Sequence, residues 1–145
     1  MYAADTGAKQ GLPPGPWWDE PDHLEWWDSD TGLPCLIQRV PGLGHLCGYA
    51  GVLPWHPWYG LDHDDAKVRA DSYGGLTWSD YYEEIGGKTW WFGFDCAHTW
   101  DLVPGMPPFP PELEQARTYR TLGFVEFHVV RLAWQLGQVE VGEQA

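Results

Sequence analysis

Eleven tryptophans share this chain with 18 glycines and 13 prolines, and that mixture constrains the fold more than any other feature. Trp, Tyr and Phe suit the pleated, half-buried surface of a sheet, whereas Gly and Pro punctuate turns and are poorly tolerated inside helices. The combination predicts short strands joined by tight loops and argues against a helical bundle. With 145 residues, 43% of them hydrophobic, the chain can bury one core of useful size and has no room for a second full domain.

Residues 1–24 read as an irregular arm, because Gly11, Pro13, Pro14, Gly15 and Pro16 interrupt regular structure, and Trp17 and Trp18 then supply a docking patch. Residues 25–145 read as a single domain. Glu25 to Asp30, the turn Thr31-Gly32 and Cys35 to Val40 form a predicted hairpin. Further strands are predicted over His45 to Val52, Lys67 to Tyr73 and Thr89 to Phe94, with a short segment at Leu76 to Trp78. Alternation in the Thr89 strand places Trp90, Phe92 and Phe94 on one face, with Trp91, Gly93 and Asp95 on the other. If the strand continues, Cys96 and His98 share the first face.

A helix is predicted from Pro111 to Leu136, since Leu122, Val125, Val129, Leu132 and Leu136 step by three and four and lay one stripe along it, with Gly137 as its C-terminal cap. The fold class is therefore α+β: a curved antiparallel sheet with a long C-terminal helix packed on it and a Pro/Gly/Trp-rich N-terminal arm.

Charge narrows the function. Eight Lys and Arg against 21 Asp and Glu leave a formal charge of −13, which excludes sequence-independent binding to nucleic acid or anionic membrane. No run approaches the length of a membrane span, and the first residues lack the basic-then-apolar order of a signal peptide, so a cytoplasmic protein is expected. Three cysteines cannot pair completely, and reduced thiols are expected.

Two constellations could carry chemistry. His45 with Cys47, and Cys96 with His98, each place soft ligands at i and i+2, so neighbouring strands could offer zinc a Cys₂His₂ set. The bland reading of the same residues is two small buried hydrophobes and two hydrogen-bonded imidazoles. The acidic loop Asp62-His63-Asp64-Asp65 lacks the glycine and terminal glutamate of an EF-hand and reads as solvated. Neither phosphate-binding glycine motif is present, no nucleophile and base fall in a catalytic motif, and no cofactor is implied.

Aromatic platforms beside arginines are the second constellation. Bases stack on such rings, and a single guanidinium can hold a phosphate without making the whole chain basic. Trp90 and Trp91 are candidate stacking residues, Arg39, Arg117 and Arg120 candidate phosphate ligands with Arg69 a further scattered cation, and His45, Asp95 and His98 candidate partners for ribose or base. So many tryptophans in one small chain also predict a homo-oligomer.

The order Gly44-His45-Leu46-Cys47-Gly48-Tyr49, His56-Pro57, Gly74-Gly75-Leu76-Thr77, Trp90-Trp91-Phe92-Gly93-Phe94-Asp95-Cys96-Ala97-His98 and Leu132-Ala133-Trp134-Gln135-Leu136 resembles small proteins of tailed bacteriophages and prophages. Tyr73 and Trp100 depart from that pattern, which has His and Gly at those places. The layout is also similar to phage anti-defence sponge proteins of the Thoeris anti-defence type. That resemblance implies an oligomeric, noncatalytic protein of the infected host's cytoplasm that sequesters a cyclic ADP-ribose-type nucleotide signal or binds a host defence protein. A zinc-dependent hydrolase built on His45, Cys47, Cys96 and His98, and an acidic interaction or structural protein, are the alternatives.

Overall fold

The computed structural model describes residues 1–82, 88–107, 110 and 117–140. Its architecture is the expected α+β: a curved, six-stranded antiparallel sheet carrying one C-terminal helix. The strands are β1 (Tyr2–Ala4), β2 (His23–Trp27), β3 (Pro34–Arg39), β4 (Leu46–Val52), β5 (Trp78–Tyr81) and β6 (Trp90–Asp95), and the helix is α1 (Leu122–Gly137). Spatial order is β1-β2-β3-β4-β6-β5. Among the described residues no helix is long and apolar enough to cross a membrane.

The predicted β2–β3 hairpin forms because Asp28 satisfies its own turn. One carboxylate oxygen accepts from the Thr31 N–H at 2.9 Å and from the Thr31 hydroxyl at 2.7 Å, a short-range arrangement that favours a turn over continued strand. Alternation in β6 holds as far as Asp95, where the strand stops. Asp95 then turns the chain by accepting from the Ala97 N–H at 3.0 Å.

Pairing of Ile37 with Gly48 and of Gly48 with Phe94 lines these residues up across the sheet. Their shared face receives α1, whose Val125, Val129, Leu132 and Leu136 are fully buried there, as the sequence stripe predicted, while Leu122 is partly buried. Gly48 sets the helix height: a Cβ there would lie 2.6 Å from both Phe94 Cζ and Val129 Cγ2.

Four expectations are corrected. Residues 67–73 form turns and loop, not a strand; Val68 and Ala70 pack on the core while Lys67 and Arg69 point out, so period-two alternation arises without a ladder. The helix starts at Leu122 instead of Pro111, capped by the Thr121 hydroxyl accepting from the Phe124 N–H at 3.3 Å. Thr118 is already held in a parallel bridge to Asp101; the predicted residues 111–116 lie outside the described residues. Gly137 is the last helical residue and not a left-handed cap, and a Cβ on it would meet Thr31 Cγ2 at 2.6 Å. Residues 1–24 are also not wholly irregular, because β1 adds the edge strand; the segment docks through Trp17, buried with Ala8 and Leu12, while Trp18 stays exposed.

Candidate functional site

The segment 1–24 is held by a buried ion network, and at its centre is Arg39, a sequence-based candidate for phosphate. Its Nε donates to Asp22 Oδ1 at 2.9 Å; one terminal nitrogen donates to Gly44 O at 2.8 Å and the Tyr119 hydroxyl at 3.0 Å, the other to Glu20 Oε1 and Pro21 O at 3.2 Å. All five guanidinium donors are engaged, and the side chain is fully enclosed. Arg39 is therefore a structural keystone and offers nothing to a ligand.

His98 and Arg120, two other candidates, do come together, at the buried carboxylate of Asp101. His98 Nδ1 lies 2.7 Å from Asp101 Oδ2, and Arg120 Nε donates to Oδ1 at 2.8 Å. The Tyr73 hydroxyl donates to the same Oδ1. Burial works to raise the Asp101 carboxyl, yet hydrogen bonds from Arg120, Tyr73 and His98 outweigh it and hold the group below its ordinary range. Burial first, and the neighbouring carboxylate second, push the Tyr73 hydroxyl up to about 12.

This resembles the base half of a catalytic site, but most of the imidazole is covered, leaving the His98 side chain 16% exposed. Trp100 stacks on it with centroids 4.8 Å apart, Tyr73 meets it edge-on, and a Cβ on Gly74 would sit 2.2 Å from Nε2. The polar mouth expected at His98 is thus a latch, joining the 72–75 loop, the 98–101 turn and the strand-like entry to α1. Arg117, half-buried beside that entry, is engaged within the chain.

The remaining candidates are dispersed. Trp91 is 1% exposed, and Trp90 donates its indole N–H to Leu61 O at 2.9 Å while packing on Tyr81; neither serves as a stacking platform. Asp95 shapes the turn after β6. His45 is buried, and burial lowers its pKa and keeps the ring neutral. Register pairs Cys47 with Asp95 on the sheet face away from α1, whereas Cys96 belongs to the core beneath the helix. Burial, then the Asp95 charge, pushes the Cys47 thiol up to about 12, and burial likewise raises Cys96. Zinc would need both as thiolates on one side. Among the described residues no cluster of three or more His, Cys, Asp or Glu could hold a metal.

A cleft of about 830 Å³ opens between α1 and the loop that precedes β5, lined by Trp58, Ala66, Lys67, Arg69, Trp134, Gln135, Gln138 and Val139. Its volume falls in the range of small-molecule sites. Two clamps set its width. His56 Nδ1 accepts from the Trp58 N–H at 2.9 Å, which leaves Nε2 to donate to Leu136 O at 2.8 Å. Gln135 closes the other end, accepting from the Asp71 N–H at 2.6 Å and donating to Asp71 O at 2.7 Å. The acidic stretch is used in the loop itself: Asp62 and Asp65 accept the N–H groups of His63 and Lys67, both at 2.9 Å.

Charge inside the cleft opposes that of the chain. Lys67 and Arg69 are exposed, and among the described residues no carboxylate lines the cavity. Trp134 presents an indole that is 56% exposed on the helical wall. Sequence reasoning named Arg69 only as a scattered cation and missed Lys67 and Trp134; the available signal was two cations at i and i+2 directly after the acidic run Asp62 to Asp65. Comparisons with protein-family models, with curated proteins and with solved structures give no match.

Proposed function

We propose that the chain is a noncatalytic binding protein whose cleft captures a small nucleotide-like anion, with an aromatic base or ring on Trp134 and phosphates on Lys67 and Arg69. The observation that carries this reading is a ring-lined cavity presenting two cations on a chain of net charge −13. Stacking contributes about 1–3 kcal/mol per base, and each charge-assisted hydrogen bond about 1.5–3 kcal/mol. Three such contacts support micromolar or tighter binding once ordering costs are met. Asp101 is buried and engaged by His98, Arg120 and Tyr73, and this reading gives the group no part in the capture.

Joined to the resemblance to phage proteins, this reading makes the chain a sponge in the infected host's cytoplasm that lowers the free concentration of a cyclic ADP-ribose-type signal. A thermal-shift panel of mononucleotides, cyclic dinucleotides, ADP-ribose and cyclic ADP-ribose isomers tests it. A rise in Tm with one class, and recovery of that compound unchanged after incubation, is the expected result. Turnover of the compound, or a flat panel, rejects the reading.

A further inference from the structure

The outer face of α1 carries a second stripe, opposite the one buried on the sheet. Phe127, Val130 and Trp134 are 64, 39 and 56% exposed, and Gly123, with nothing within 4 Å of an added Cβ, continues the row at its start. From residue 123 to 134 the steps are four, three and four. This is the seam spacing of two helices wound together, and packing on the chain's own sheet does not call for it. We propose that the seam docks against the same face of a second copy, with the two helices parallel; docking covers the Trp134 indole that the proposed function gives to the ligand, so the second copy and the ligand compete for it.

Area and charge both favour that occupant. A fully exposed Phe or Trp side chain offers about 150–250 Å², so at these exposures the stripe presents roughly 300 Å² of apolar surface per chain, the lower end of the largest patches on monomers, which are often functional. Two stripes with their flanking residues would bury on the order of 1,000 Å², the lower end of specific interfaces, which predicts a dimer exchanging in the micromolar range. With Phe127 and Trp134 at the a positions and Val130 at d, Glu126 falls at g and Arg131 at the following e. In a parallel pair each g side chain reaches the e side chain five residues on in the other helix, so Glu126 meets the second copy's Arg131 twice by symmetry.

Both groups are available for this. Glu126 has no ion pair within its own chain among the described residues, and Arg131 pairs at 3.3 Å with Asp71, whose side chain is 77% exposed, an interaction of little strength. An antiparallel pair would set e against e, bringing Arg131 to its own counterpart, and is disfavoured. Near 0.15 M salt, with a Debye length of about 8 Å, repulsion between the two acidic bodies is mostly screened.

Sedimentation equilibrium of the full chain from low to high micromolar concentration tests the proposal, and substitutions that leave Trp134 in place keep it separate from the cleft. Wild type should shift from monomer to dimer. Phe127→Glu, an exposed site where the fold is not at risk, should remain monomeric with an unchanged circular dichroism spectrum. Glu126→Arg should weaken dimerisation by roughly tenfold, and Glu126→Arg/Arg131→Glu should restore it. A wild-type monomer throughout, a dimer indifferent to Phe127→Glu, or a double variant no tighter than the single one would overturn the proposal.

Discussion

Replacing Gly48 by alanine adds one methyl group where β4, β6 and α1 meet. That carbon would lie 2.6 Å from Phe94 Cζ, 2.9 Å from Phe94 Cε1 and 2.6 Å from Val129 Cγ2, against an ordinary carbon contact of about 3.5–4.0 Å. Both neighbours must retreat by about 1 Å. Phe94 is 1% exposed and Val129 0%, so neither has solvent to move into, and the helix must lift from the sheet. Overpacking of this kind costs about 1–3 kcal/mol, and removal of a strand glycine returns roughly 0.5–1 kcal/mol. The net expectation is a loss of about 1–2 kcal/mol, or a few degrees in Tm for a chain of this size. Urea denaturation should show a lower midpoint at unchanged slope. Gly123→Ala is the matched control, since nothing lies within 4 Å of its added carbon, and it should stabilise by about 0.4–1 kcal/mol. If Gly48→Ala is as stable as wild type, the helix is not seated over Gly48 and the described packing is wrong.

Leu132→Ala, at a residue with 0% exposure, should cost about 2–5 kcal/mol in the same assay; a change within the roughly 0.5 kcal/mol typical of surface positions would contradict its burial. Arg39→Ala should destabilise by about 3–5 kcal/mol because it leaves Asp22 buried with one cation fewer, and it should leave nucleotide affinity unchanged in whatever fraction stays folded. His45, His56 and His128 all have pKa values lowered by burial from the ordinary 6.5. The unfolded chain therefore binds more protons than the native one, and stability should fall as pH drops below about 6.5. His56→Gln should reduce that slope; an unchanged slope would show that His56 is not held neutral between Trp58 and Leu136.

Strands β2, β3, β4 and β6 and the buried helix stripe were legible because their signals are local. Trp90 to Asp95 alternates, Asp28 to Gly32 closes a turn, and Leu122 to Leu136 repeats at helical spacing. Arg39 could not be read the same way: its partners Glu20 and Asp22 lie 19 and 17 residues away and Tyr119 lies 80 away, and only the folded chain makes them one network. The same long-range network draws residues 1–24 into the structure despite their prolines. Lys67 to Tyr73 misled because alternating exposure is shared by strands and by extended loops lying on a core. Trp134 was hidden by its place in a helix whose inner stripe dominated the pattern, although its exposed outer position is what qualifies it for the cleft.

The claim that Lys67, Arg69 and Trp134 form a nucleotide site is tested most directly by calorimetric titration of ADP-ribose-type ligands into wild type, Lys67→Glu/Arg69→Glu and Trp134→Ala. Wild type should bind with one site per chain. The double charge reversal should weaken binding at least about a hundredfold and the tryptophan truncation about tenfold, following the contact energies of charge-assisted hydrogen bonds and base stacking, with both variants melting as wild type does. Equal affinity in all three proteins would place the ligand elsewhere and contradict the assignment of the cleft.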